Sequence, residues 1–292
     1  MIPVTVVGGY LGAGKTTLIN HLLRNANGIR LAVLVNEFGE LAIDEDLIEA
    51  QSDDVISIAG GCVCCSFGSD LTAALGDMAM MSPPPDHVLI ECSGVAIPSS
   101  IVNSLVFLPF FRSDGIVILA DAETVMQSAK DKYMGDTVTR QIADADIILL
   151  NKVDLVSEVT LHATRTWLIG QNRYARVVES TQSVVPPVIV LDSFVGRVRA
   201  GGQHLEAAHL DMLTLTPKGF VDADKLAQAL ADADTGLVRP KGFVTRHDGT
   251  KALIQVVGRR WDVTEVAENK ADGLVCLGFK NVISRAMLQK LI

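Results

Sequence analysis

Aromatic residues make up only 5% of this 292-residue chain, and cysteine is scarce too, with five in all. With 49% apolar residues and 24 glycines, aliphatic side chains must build the core. That balance suits an α/β protein whose parallel strands are buried on both faces. Basic residues are the minority charge: 25 Lys and Arg stand against 34 Asp and Glu, giving a net charge of -9. No basic stripe appears, which argues against DNA or RNA as a partner. Apolar runs stay well short of the roughly 18 residues of a membrane span, so no membrane partner is expected either. The N-terminus enters a strand pattern at Ile2 without the basic region and cleavage site of a secretory leader, and the expected compartment is the cytoplasm. Internal repeats and low-complexity tracts are missing. The length suits one large domain, or a large and a small one.

What is present begins at residue 9. GYLGAGKT, Gly9 to Thr16, follows the apolar run Ile2 to Val7 and precedes a helical pattern, Thr17 to Leu23. This is G-x-x-x-x-G-K-[ST] in its required strand–loop–helix context. From average composition such a match arises by chance in about one chain in a hundred of this length. Gly9, Gly12, Ala13 and Gly14 let backbone amides turn inward around an α/β-phosphate, and the helix N-terminus at Lys15, Thr16 and Thr17 adds its positive end. Lys15 would reach the β/γ-phosphates, and the Thr16 hydroxyl would ligate magnesium. The residues predict a nucleotide-binding protein.

Apolar runs then recur at Leu31 to Asn36, Val55 to Ile58, His87 to Glu91, Gly115 to Ala120, Ile147 to Leu150 and Val188 to Leu191. Helical or loop segments separate most of them, so a mostly parallel sheet flanked by helices is expected over residues 1–195. The three prolines between Met81 and Asp86 mark a surface loop. Composition shifts at Val195 to His209, read as a linker. Residues 210–292 follow as a smaller α+β domain: strand at Leu210 to Leu215, helix at Asp222 to Ala231, strands near Phe243, at Ala252 to Val257 and at Leu274 to Leu277, and a closing helix from Ser284 to Leu291.

NKVD, Asn151 to Asp154, sits at the end of the run IILL, at the sheet edge where open α/β folds bind ligands. The Asp154 carboxylate can accept both hydrogen bonds of the guanine N1–H and exocyclic amine, a pair adenine does not offer. Asn151 would brace the loop and the Lys152 stem would cover the base. In HVLIECSG, His87 to Gly94, Glu91 ends a strand pattern and is the candidate acidic partner of magnesium. Gly94 is placed to turn the chain near the γ-phosphate.

GGCVCCS, Gly60 to Ser66, is the other unusual stretch. Three cysteines within four positions make no disulfide framework and point to metal or thiol chemistry. Cys62, Cys64 and Cys65 lie in a Gly-led turn before a helical pattern, a setting that lowers thiol pKa. Thiolates favour Zn(II) or Cu(I) and also hold Co(II). C-x-C-C is tighter than structural zinc spacing, and an incomplete protein shell is what a transfer site needs. Which of the three ligate stays open, as do a redox-active thiol pair and plain packing. An acidic run lies between phosphate loop and cysteines. Within it Glu37 and Glu40, beside a strand end, are candidates for touching magnesium or the transferred ion. Loops at such positions order around γ-phosphate and magnesium and relax after hydrolysis, so hydrolysis could gate a metal site built on them. Cys92 and Cys276 read as packing, and the six histidines are scattered.

Taken together, the chain resembles the CobW-like GTPases, the metallochaperone branch of the P-loop GTPases that includes the zinc-regulated metalloprotein activators. The matching residues are GYLGAGKTT at Gly9 to Thr17, VNEFGE at Val35 to Glu40, GCVCC at Gly61 to Cys65, ECSG at Glu91 to Gly94, LLNKVDL at Leu149 to Leu155 and VRPKGFV at Val238 to Val244. The resemblance implies a GTPase domain with a smaller C-terminal domain, slow GTP hydrolysis, and delivery of zinc, cobalt or a similar ion to a client metalloprotein or cobalamin-pathway enzyme. Cys92 stands where such proteins often have threonine, Ala42 replaces a common glycine, and a histidine-rich tract is lacking, which argues against ion storage.

In the mechanism these residues suggest, Lys15 and the loop amides stabilise charge on the transferred phosphoryl, with Thr16 and Glu91 at the magnesium. No glutamine equivalent for positioning water is evident; Glu37 or Glu40 takes that role. The sequence leaves monomer and homodimer both open. Two rival readings stand beside the metallochaperone: a non-catalytic nucleotide-gated binding module, and a P-loop kinase acting on a small molecule.

Overall fold

The structure, a computed structural model, describes residues 1–26, 28–36, 55–60, 69–192, 210–217, 219–232, 235–267 and 270–292. The chain divides into two compact units, Met1–Phe194 and Val195–Ile292.

The first unit is built on seven parallel strands: β1 (Ile2–Gly9), β2 (Leu31–Asn36), β3 (Val55–Gly60), β4 (His87–Glu91), β5 (Phe111–Asp121), β6 (Ile147–Asn151) and β7 (Arg176–Glu179), in the order β3-β2-β4-β1-β5-β6-β7. Every pairing is parallel, so all seven carboxyl ends open on one edge. β4 and β6 are buried at every position, which is why they read as unbroken apolar runs rather than alternations. Helices cover the sheet: α1 (Lys15–Arg24), α2 (Ser69–Met80), α3 (Pro98–Leu105), α4 (Val125–Ser128), α5 (Gly135–Asp144), α6 (Glu158–Gln171) and α7 (Pro187–Val190). α1 buries Leu18, Ile19 and Leu22 completely. Each such burial is worth roughly 1.5–3 kcal/mol, so these three fix the helix that carries the phosphate-loop lysine. α6 starts on Ser157, whose hydroxyl accepts from Thr160 N–H at 3.2 Å.

One polar knot sits in this apolar sheet. The Thr5 hydroxyl of β1 lies 2.9 Å from His87 Nε2 of β4, 3.2 Å from the Asp114 carboxylate of β5 and 2.8 Å from the Val190 carbonyl of α7. Arg112 completes it by pairing with Asp114 and Asp192.

The second unit is an antiparallel sheet of β8 (Leu210–Leu215), β9 (Leu237–Thr245), β10 (Lys251–Val257), β11 (Arg260–Val266) and β12 (Gly273–Phe279), in the order β11-β10-β9-β12-β8. Helix α8 (Ala223–Ala231) packs Leu226, Ala227 and Leu230 against Ala252, Ile254 and Val256, the buried members of an alternating strand. The closing helix α9 spans Arg285–Leu288.

Two sequence expectations are overturned. Val188–Leu191 is not a strand: Pro186 and Pro187 start the short helix α7 there, because a proline suits a first helical turn and cannot donate to a ladder. The strand beside β6 is instead β7, which the sequence reading did not pick out. The second unit also holds a further strand, β11, and its closing helix is shorter than expected. The expected linker falls outside the described residues apart from its neighbours.

Candidate functional site

The phosphate loop connects β1 to α1. Gly9, Gly12 and Gly14 take φ of 132°, 77° and 105°. Gly14 is the N-cap of α1 and is left-handed, without a side-chain cap, so the first amides of the helix face a prospective anion. Ala13 is buried, and its amide donates to the Tyr10 carbonyl at 3.2 Å. Lys15 is buried as well, its Nζ donating to the Gly9 carbonyl at 3.1 Å. Thr16 is half-buried and Thr17 exposed.

Glu91 ends β4 and is 2% exposed; its Oε1 accepts from the Thr16 hydroxyl at 3.4 Å. Two hard oxygen donors so placed fit a magnesium ion. Cys92, next in the chain, is fully buried, and burial pushes its thiol up to about 12, against a smaller lowering pull from Lys15 and with a further small push from Glu91. Gly94 lies against the phosphate loop: a Cβ there would fall 2.8 Å from Leu11 Cδ2 and 3.1 Å from Leu11 N. Gln141 of α5, buried, donates from Nε2 to the carbonyls of Gly94 (3.1 Å) and Ala96 (2.8 Å) and so ties this loop down.

At the other end of the loop, Asn151 joins three segments. Its Nδ2 donates to the Ala13 carbonyl and to Ser183 Oγ, both at 2.9 Å, and its Oδ1 accepts from Ser183 N–H at 2.8 Å. Ser183 Oγ donates in turn to the Gly14 carbonyl at 3.0 Å. Lys152 follows in left-handed backbone, φ 62°, and its Nζ pairs with Asp121 Oδ2 at 2.7 Å. Asp154 is exposed in the 3-10 turn Val153–Leu155. The structure thus brings Gly9, Gly12, Ala13, Gly14, Lys15, Thr16, Glu91, Gly94 and Asn151 to one edge, with Lys152 and Asp154 beside them.

Sequence reasoning missed Ser183, Asp121 and Gln141. The polar run Ser180 to Ser183 after an apolar pair was the one available signal for the first. Glu37, Glu40, Cys62, Cys64 and Cys65 lie outside the described residues. Cys92 and Cys276 pack as expected; burial pushes the Cys276 thiol to about 12 as well. Both should resist iodoacetamide at pH 8 until the chain is unfolded, read by mass spectrometry of each tryptic peptide. Their linkage has a sign. From the ordinary thiol value of 9.0 up to about 12 the unfolded chain ionises and the native one does not, so stability falls across that window. Melting temperature should drop less between pH 9 and 10.5 in Cys276→Ala than in the unsubstituted chain.

A phosphate loop on a parallel sheet, with an N-K-x-D loop tied to it, defines a P-loop GTPase. A family profile described as "CobW/HypB/UreG, nucleotide-binding domain" matches residues 3–179, and the chain belongs to that family. It is 29% identical over 341 residues to the zinc chaperone CobW of Sinorhizobium sp, covering 98% of this chain and 95% of that one. It is 28% identical over 297 residues to a zinc-regulated GTPase metalloprotein activator of Dictyostelium discoideum, covering 83% of this chain and 62% of the other. A solved zinc-bound triple mutant of YjiA GTPase shares the fold, with a TM-score of 0.50 and 20% identity over 99% of this chain and 97% of that one. No helix among the described residues is long and apolar enough to cross a membrane.

Proposed function

We propose that this GTPase is a metallochaperone: it holds a transition metal ion, zinc or cobalt, at Cys62, Cys64 and Cys65 and delivers it to a client metalloprotein, with release gated by GTP hydrolysis. The carrying observation is the shared strand edge. Asn36 and Gly60, which close β2 and β3 and pair in register, lead into the acidic segment and the cysteines, and they end on the same edge as Glu91 and the phosphate loop. Metal ligands entering there would share a loop cluster with the γ-phosphate. The zinc chaperone name of a relative matched along nearly its whole length supports the cargo.

In this reading Asp154 selects guanine, Asn151 and Lys152 shape the base site, and Gly9 to Thr17 hold the phosphates. Lys15 stabilises the charge that develops on the transferred phosphoryl. Thr16 and Glu91 would hold magnesium, which would supply positive charge against the charge developing on the phosphates. Gly94, held by Gln141, faces the γ-phosphate side. Glu37 or Glu40 positions the water. We assign nucleotide chemistry to residues 1–195 and client contact to residues 210–292. Among the described residues, no group of three or more His, Cys, Asp or Glu side chains forms a metal site, in the second unit or elsewhere.

The test is metal competition against a chromogenic chelator, with Zn(II) and Co(II) in parallel, in magnesium plus a non-hydrolysable GTP analogue and in magnesium plus GDP. Affinity should differ at least tenfold between the two nucleotides and collapse in Cys64→Ala/Cys65→Ala. Equal metal affinity in both nucleotide states defeats the gating, and unchanged binding in the double variant defeats the site.

A further inference from the structure

The geometry points to Asp121 as a positioning residue of the guanine site, holding the Lys152 ammonium so that the lysine stem forms a fixed wall against the face of the base. The inference rests on the guanine-nucleotide reading above and adds a residue that no motif contains.

Asp121 closes β5 and is paired in register with Asn151, the last residue of β6. The Ala122 amide donates to the Asn151 carbonyl at 2.9 Å, so the two strand ends are locked together directly below the base loop. The Asp121 carboxylate is divided between two tasks. Oδ1 accepts from the Glu123 amide at 2.9 Å, which fixes the carboxylate on its own turn before α4. Oδ2 accepts from Lys152 Nζ at 2.7 Å. The carboxylate side chain is 11% exposed and the lysine side chain 33%.

An ion pair whose lysine side chain is a third exposed contributes little to stability. Its effect here is placement. Lysine is among the side chains that lose most rotamer freedom on ordering, and binding is weakened by whatever ordering the ligand must impose. With the ammonium held on β5 and the backbone of Lys152 in the left-handed region, the intervening methylenes are drawn back across the sheet edge before nucleotide arrives. Asn151 is meanwhile tied to the phosphate loop and Ser183. Both neighbours of the loop are pinned, and Asp154 is left exposed to meet the base edge. The pairing also matters in the other direction: without Lys152, Asp121 would set an uncompensated negative charge beside a polyphosphate ligand.

The experiment is a double-mutant cycle in the full chain, read by fluorescent GDP titration and steady-state GTP hydrolysis. Asp121→Asn keeps the acceptor for the Glu123 amide and removes the charge. It should weaken GDP about tenfold and raise KM by a similar factor, while kcat moves less than threefold. Asp121→Glu should recover part of the loss. In a Lys152→Met background, Asp121→Asn should change GDP affinity less than twofold or improve it. Inosine diphosphate should weaken by the same factor as GDP, since the stem meets the ring face and not the exocyclic amine. GDP affinity within twofold of the unsubstituted chain, additive effects in the cycle, or a fall in kcat at unchanged KM would overturn the proposal. An unsubstituted chain that binds no GDP overturns the guanine reading, and this proposal with it.

Discussion

Replacing Gly14 by alanine should abolish measurable guanine-nucleotide binding. Its Cβ would stand 2.6 Å from Asn151 Nδ2 and 2.6 Å from Ser183 Oγ, closer than any contact a real Cβ makes. Backbone adds a second penalty, because φ at this position is 105°. Left-handed backbone with a side chain costs about 1–2 kcal/mol. Each displaced buried hydrogen-bonding group costs about 1–3 kcal/mol more. Two are displaced, so the total is at least about 3 kcal/mol, or at least a hundredfold in affinity. The damage also spreads, since the same two side chains tie the phosphate loop to β6 and to the loop after β7. Fluorescent GDP titration checks the affinity and a thermal melt the fold. A dissociation constant within tenfold of the unsubstituted chain would show that Asn151 and Ser183 can move aside.

Lys15→Met should remove turnover while leaving the fold intact. Methionine fills nearly the same volume, and the hydrogen bond lost, from Nζ to the Gly9 carbonyl at 3.1 Å, joins the lysine to a strand-end backbone group at a ligand site rather than to the core. Loss of a single such bond costs about 0.5–1.5 kcal/mol. The charge is another matter. A preorganised cation aimed at the transferred phosphoryl is worth about 10²–10³ in kcat, so single-turnover GTP hydrolysis should fall by that factor while the melting temperature shifts by only a few degrees. Hydrolysis within tenfold of the unsubstituted rate would remove Lys15 from the chemistry.

The part of this site legible in the sequence is the part whose chemistry is written in adjacent residues. Gly9 to Thr16 must be glycines, a lysine and a threonine at fixed offsets because one loop wraps one phosphate, and Asn151 to Asp154 are similarly local. Glu91 could be found because a strand pattern ends on it. Ser183 is harder to read, since its partner Gly14 lies 169 residues away and the polar run that holds it does not name that contact. Asp121 and Gln141 were hidden for the same reason: each acts through a tertiary partner, Lys152 or the carbonyls of Gly94 and Ala96. Fold errors have a different origin. A run such as Val188–Leu191 is equally a buried strand or a buried helical turn by periodicity, and only the preceding prolines decide. β11 escaped notice because it lies at the sheet edge, largely exposed on both faces, and so carries no alternation.

The knot of Thr5, His87 and Asp114 has a bearing on how the far edge of the same sheet is set. Strands apolar on both faces can slide past one another by two residues at little loss of burial, because valine meets isoleucine either way. A buried hydroxyl, an imidazole and a carboxylate cannot slide, since each would leave its partner and stand desolvated in a greasy layer. Thr5, His87 and Asp114 belong to β1, β4 and β5, the three central strands whose opposite ends carry Gly9, Glu91 and Asp121. The knot therefore acts as an index pin. It holds three otherwise interchangeable rulers at one alignment, so that the phosphate loop and the carboxylates of Glu91 and Asp121 come out level several residues away.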